Sequence, residues 1–311
     1  DGFVQKISEY ISKKVADKLT GMCKTDRESY EKYWDDISPF IKYGCIKDSK
    51  FAEKMGDYVL FKNLDGKYLT LKDCIEENKK ETAEAETEEK KEDTAAEENK
   101  DKAEEKEPEK TIIFYVTDEV QQSQYINMFK EQNIDAIILK HSIDQPFITQ
   151  LEQGDLKVKF QRIDADLSET MTQEADEETI KKETETLTEV FKKALGKEQL
   201  EVKVEKLKNE NVSSMMTLSE ETRRMQDMMK MYSAGGMGGM DMSMFGGGET
   251  LVLNSSNKLV QYILENKDGE YVDMFCKQLY DLAMLAHKPL SAQEMTDFVA
   301  RSNEIMMLLA K

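Results

Sequence analysis

Two histidines and four cysteines are the whole supply of imidazole and thiol in 311 residues. His141 follows the apolar run Asp135–Leu139, at the C-terminal end of an expected strand, where α/β folds place active residues. No serine or cysteine elbow accompanies it. His287 ends a helical pattern, a place where an imidazolium meets the helix dipole favourably. Both histidines read as structural or merely exposed. Asp164, Asp166 and Ser168 have the spacing of the start of a calcium loop, but its sixth position is Glu169 and its twelfth Ala175. Such a loop needs glycine and glutamate there, so we expect no metal site. Cys23, Cys45, Cys74 and Cys276 form no C-x-x-C pair and no disulfide framework. Scattered reduced thiols suit a cytoplasmic protein. Val116 is followed by Thr117, Asp118 and Glu119 without a glycine, whereas a dinucleotide turn needs glycines so that backbone can approach pyrophosphate.

Methionine offers softer chemistry. Ten of the 19 fall within residues 215–244. Met225, Met228, Met229 and Met231, with Tyr232, sit on or beside one expected helix, Ser219–Tyr232, with Ser219 as its N-cap. Met237, Met240, Met242 and Met244, with Phe245, lie in a stretch, Ser233–Gly248, that holds seven of the 15 glycines. This stretch is expected to be a flexible loop. Flexible, polarizable side chains suit a surface that accepts many apolar partners. On the helix, the same spacing is equally that of a core face.

Positioning these groups requires two kinds of element. Phe3, Ile7, Ile11, Val15 and Leu19 step by four, with Gly21 as a stop. A second helix from Asp26 places Tyr30, Tyr33, Trp34, Ile37 and Ile41 on one face; Pro39 should bend or break it, and Gly44 ends it. A third, Ser49–Lys62, turns Phe51, Met55, Val59 and Leu60 inward before a turn at Asn63–Gly66. The period then changes. Thr111–Val116, Asp135–Leu139 and Lys157–Phe160 read as buried strands, separated by helices marked by Tyr125, Met128 and Phe129 and by Phe147, Ile148 and Leu151. This β-α-β-α-β series implies a small parallel sheet. A helix within 167–200, an edge strand at Glu201–Leu207, a short strand at Leu251–Leu253 and three helices complete the chain.

The last two helices carry the sharpest pattern. Val272, Phe275, Leu279, Leu282 and Ala286 step by 3 and 4, and so do Met295, Phe298, Ser302, Ile305 and Leu309. That is bundle or coiled-coil spacing. Ser291 and Glu294 form a capping box after Pro289. Tyr271, Leu285, Val299 and Met306 lie outside both seams. A hairpin alone leaves this surface exposed. It can pair with a second copy as a four-helix bundle or pack on the preceding domain.

Charge narrows the function. Lys plus Arg total 44 against 63 acids, a net charge of −19. Residues 76–110 hold 16 acids and 8 lysines, with no valine, isoleucine, leucine, methionine or aromatic residue. This insertion is expected to be disordered. So acidic a chain is a poor binder of nucleic acid, and its apolar runs are too short to span a bilayer. It opens at Asp1 inside a helical pattern, which suggests a fragment.

The residues Tyr33–Gly44 and Asp65–Leu71 resemble the middle domain of the ninety-kilodalton heat-shock chaperone family, most closely its bacterial HtpG type. Arg223–Tyr232, Thr250–Asn254 and the last helical pair resemble that family's C-terminal dimerisation domain. The resemblance implies a mixed α+β and α/β architecture. Residues 1–63 would be a helical part of the middle domain and 64–166 its small α/β module. Residues 167–311 would be a dimerisation domain, with its dimer hairpin at 268–310. It implies a homodimer joined through Val272, Phe275, Leu279, Leu282, Met295, Phe298, Ser302, Ile305 and Leu309. Unfolded or partly folded clients would bind through Met225, Met228, Met231 and Tyr232, with Met229 beside them. The family's second client contact, an aromatic after an Ile-Asp-Glu motif, falls near Ile143-Asp144-Gln145, where Pro146 intervenes before Phe147. ATP and Mg belong to the full-length protein, whose ATPase domain is absent here, so this fragment is expected to be no enzyme by itself. The competing readings are a small-molecule enzyme using His141 on the α/β sheet and an acidic binder of basic proteins using residues 76–110.

Overall fold

The computed structural model describes residues 2–78, 110–165, 171–219, 222, 224, 225 and 248–310. The acidic 79–109 stretch and the Met/Gly stretch 226–247 lie outside the described residues. Helices and small sheets alternate along the chain, giving a mixed α and β architecture. It divides into two compact units, residues 1–118 with 133–162, and residues 119–132 with 163–311.

The first unit begins with α1 (Gly2–Thr25), α2 (Arg27–Lys47) and α3 (Ser49–Met55). Asp26 caps α2 by accepting from the Ser29 amide at 3.2 Å, and Asp48 caps α3 through the Lys50 and Phe51 amides. The expected stops at Gly21 and Gly44 do not end their helices. A lone helical glycine costs only ~1 kcal/mol, and burial of Ala16 and Cys23 carries α1 past Gly21. Pro39 does not break α2 either. The helix is held on both sides of it by burial of Tyr30, Trp34, Ile41 and Cys45. The Tyr30 hydroxyl also donates to the Tyr58 carbonyl at 2.7 Å, and the Trp34 indole to the Leu60 carbonyl at 2.9 Å. Gly44 serves packing instead: a Cβ there would lie 2.9 Å from the Phe51 ring.

The third helix is shorter than its apolar pattern suggested. A 3₁₀ turn, Gly56–Tyr58, leads into β1 (Leu60–Lys62), which pairs antiparallel with β2 (Tyr68–Thr70). Asn63 shapes the turn between them, accepting from the amides of Asp65 and Lys67, while Gly66 takes φ +79°. A three-stranded parallel sheet follows, with β3 (Thr111–Val116) between β4 (Ile137–Ile138) and β5 (Val158–Arg162). Helix α5 (Asp144–Glu152) belongs to the same unit; α4 (Ser123–Glu131) belongs to the second. One apolar cluster runs from Ala16 and Trp34 through Phe61 to Tyr115 and Phe160. Helices and sheet share a core because neither layer alone has enough apolar surface to bury.

The second unit is built on α6 (Glu177–Leu195), β6 (Glu201–Glu205), β7 (Ser214–Leu218), β8 (Glu249–Asn254), α7 (Lys258–Glu265), α8 (Val272–Leu285) and α9 (Ala292–Leu309). Strand β8 is central, parallel to β6 and antiparallel to β7. Strand β7 has no amphipathic alternation, because all five of its residues are buried. Asn254 ties down the loop before it, accepting from the Leu207 amide and donating to the Val212 and Asn209 carbonyls. Leu187, Phe191, Leu251, Leu253, Cys276 and Ala283 form the core.

Candidate interaction surfaces

Helix α8 buries Val272, Cys276, Leu279, Tyr280, Ala283 and Met284. Val272 and Leu279 are each 1% exposed, so two residues expected in a dimer seam belong to the protomer's own core. The 3-4 spacing marked the stripe that α8 turns toward its own sheet; spacing records that a face is buried, not by whom. Phe275 is half-buried, edge-on to the Tyr262 ring at 5.8 Å, and Leu282 is exposed.

Helix α9 is different. The expected capping box is formed by Ser291 and Glu294. Beyond it, no described side chain of α9 is buried. Met295 is exposed, and Phe298, Ser302 and Ile305 are half-buried. The Leu309 side chain lies outside the described residues. Val299 and Met306, outside the expected seam, are 49% and 57% exposed. These two are the functional candidates that heptad spacing overlooked; their signal was apolar character off the seam.

Of the methionine cluster, Met225 is helical and 44% exposed. The helix start is marked by Ser219, whose hydroxyl accepts from the Thr222 amide at 3.3 Å. Met228, Met229, Met231 and Tyr232 lie outside the described residues. Met215 and Met216 are core residues of β7. Phe147 is a correction. It is 3% exposed, stacked on Phe61 at 6.4 Å, with the Lys42 ammonium 5.9 Å from its ring. A ring so enclosed offers no surface to a partner. Pro146 is accommodated in the first turn of α5, where a missing N–H costs little, and Phe147 points inward.

Other apolar surface is open where the sequence suggested a packed helical face. The outer half of α1 shows Phe3, Ile7, Ile11 and Val15, and α2 shows Tyr33, Phe40 and Tyr43. The histidines do not assemble a catalytic group. His141 is exposed, and its amide donates to Asp144 Oδ2 at 2.9 Å. His287 is buried at the end of α8, its Nε2 3.5 Å from Glu249 and its Nδ1 3.9 Å from Asp164. No group of three or more metal-ligating side chains occurs among the described residues, and no described helix is long and apolar enough to cross a membrane.

His287, with Lys288 beside it, holds the Glu249 carboxyl down to about 2. A depressed carboxylate stabilises the fold above its ordinary range, and that stability is lost as pH falls from about 4.5 toward 2. Glu249→Gln is therefore expected to lower unfolding stability at pH 7 by an amount on the order of 2–3 kcal/mol. Urea unfolding at pH 7 and pH 3 checks this: the gap between parent and variant should shrink at the lower pH.

The described residues form two α+β units, and α9 carries open apolar surface. Residues 104–311 match the model of the Hsp90 protein family. The chain is 31% identical over 277 residues to the chaperone protein HtpG of Bacteroides fragilis strain YCH46, covering 87% of this chain and 37% of that one. HtpG of Porphyromonas gingivalis is 26% identical over 282 residues, covering 86% and 36%. HtpG of Buchnera aphidicola is 24% identical over 316 residues, covering 99% and 45%. The chain belongs to the Hsp90 family, with bacterial HtpG chaperones as its relatives. It spans little more than a third of the length of the Bacteroides and Porphyromonas relatives.

Proposed function

We propose that this chain is the middle and C-terminal part of a homodimeric, cytoplasmic chaperone. It joins two protomers through the α8–α9 hairpin and contributes surface for unfolded or partly folded clients. The observation that carries this reading is α9: 18 residues, with no described side chain buried and an apolar stripe open to a partner. Packing a second hairpin against it would complete a four-helix bundle. The client surface is assigned to Met225, Met228, Met229, Met231 and Tyr232, because adaptable thioethers accept varied apolar partners.

Nucleotide chemistry is assigned to the longer protein. After β3, Asp118 and Glu119 place carboxylates where a phosphate would need backbone amides. That turn does not suit a nucleotide phosphate, and on this reading ATP hydrolysis is left to the longer protein. In the longer protein, ATP-driven motion would alter the apolar surface shown to a client.

Aggregation suppression tests the client assignment. Met228→Asp together with Tyr232→Asp is expected to abolish suppression in the full-length protein while leaving sedimentation unchanged. His141→Ala, or deletion of 79–109, should leave suppression intact. Undiminished suppression by the double variant would count against the assignment.

A further inference from the structure

Helix α9 reaches α8 through a small polar cluster. Arg301 Nε donates to Gln278 Oε1 at 2.9 Å, and its other nitrogen pairs with Asp281. Gln278 Nε2 donates in turn to Ser302 Oγ at 3.0 Å. Gln278 and Asp281 are one turn apart on α8, and Arg301 and Ser302 are adjacent on α9. Although no described side chain of α9 is fully buried, its Arg301 side chain is only 12% exposed, and the Asp281 side chain it meets on α8 is 14% exposed. The guanidinium fork fixes direction as well as distance.

That direction decides which face of α9 is left over. At 100° per residue, Met295, Val299 and Met306 lie about 120°, 160° and 140° around the helix from Arg301. With the fork seated on α8, this apolar stripe points away from the protomer. Turning α9 by one residue would bring Val299 toward α8 and put Thr296, Ala300 and Met307 in the stripe instead.

We propose that the Arg301–Asp281–Gln278 cluster is a positioning and specificity element that sets the rotation of α9 and so presents the surface on which the second copy docks. The inference rests on the dimer reading given above. Burial pushes the Asp281 carboxyl up, even against the pull of Arg301. A pair that pays for desolvation in this way is a weak source of stability, and holding register is the best-attested use of such groups.

Dilution series by sedimentation velocity, with amide exchange of β8 and α8 on the same samples, test this on the whole chain. Arg301→Met is expected to weaken the dimer about tenfold or more, the size of a lost charge-assisted bond. Exchange protection of β8 should be unchanged, because Arg301 lies outside the core. Asp281→Arg combined with Arg301→Asp in one chain should recover the dimer. Mixing chains that carry one substitution each should not. A smaller loss in Arg301→Met, no recovery in the reversed pair, or recovery on mixing would each overturn the inference while leaving the dimer reading in place. A parent chain that sediments as a monomer would remove both.

Discussion

Val299→Asp with Met306→Asp is expected to convert the chain to a monomer at concentrations where the parent is dimeric. Both side chains are exposed in the protomer, so the changes leave its core untouched. Each removes apolar burial of about 2 kcal/mol in the dimer and adds a carboxylate with no partner. Together they should weaken association by at least about a hundredfold. Sedimentation velocity over a dilution series measures this. Equal dimer constants for variant and parent would mean that the stripe is not the interface. Removing residues 291–311 is a cleaner truncation than removing 268–311, because the longer cut also takes Val272, Cys276 and Leu279 out of the core. The shorter cut should give a folded monomer.

The second large effect lies in the first unit. Lys42 and Asp144 form an ion pair at 2.5 Å, with side chains 5% and 3% exposed. The ammonium also lies 5.7 Å from the Phe61 ring and 5.9 Å from that of Phe147. Asp144 Oδ2 accepts from the His141 amide, so the pair locks α2, α5 and the turn before α5 together. Lys42→Met leaves a buried carboxylate without its cation and is expected to destabilise this unit by about 3–5 kcal/mol. Lys42→Met with Asp144→Leu should recover most of that loss, short of the orphaned His141 amide. Chemical denaturation of parent, single and double variants reads the difference. A single variant within about 1 kcal/mol of the parent would show that the charge is relieved in another way.

The core strands illustrate what was legible. Thr111–Val116 is an apolar run that reads as a strand, and it is the central strand of its sheet, with Ile113, Tyr115 and Val116 buried but Ile112 exposed. Ser291 and Glu294 announced the start of α9 because a capping box is a local device. Strand β7 had no such signal: Ser214 and Thr217 are polar yet buried, and its partner β8 is more than thirty residues away.

By itself the sequence determined the mixed helical and sheet architecture, the capped helix starts and the stretches rich in acid or methionine, which follow from local periodicity and side-chain chemistry. Membership of the Hsp90 family rests on similarity to its members along the chain. Only the tertiary structure decided which apolar faces are already covered. Val272, Leu279 and Phe147 carry the same apolar signature as Val299 and Met306. The first three are enclosed by their own protomer, and the last two are not. Burial is set by what the folded chain brings alongside a face, across separations that no local pattern encodes.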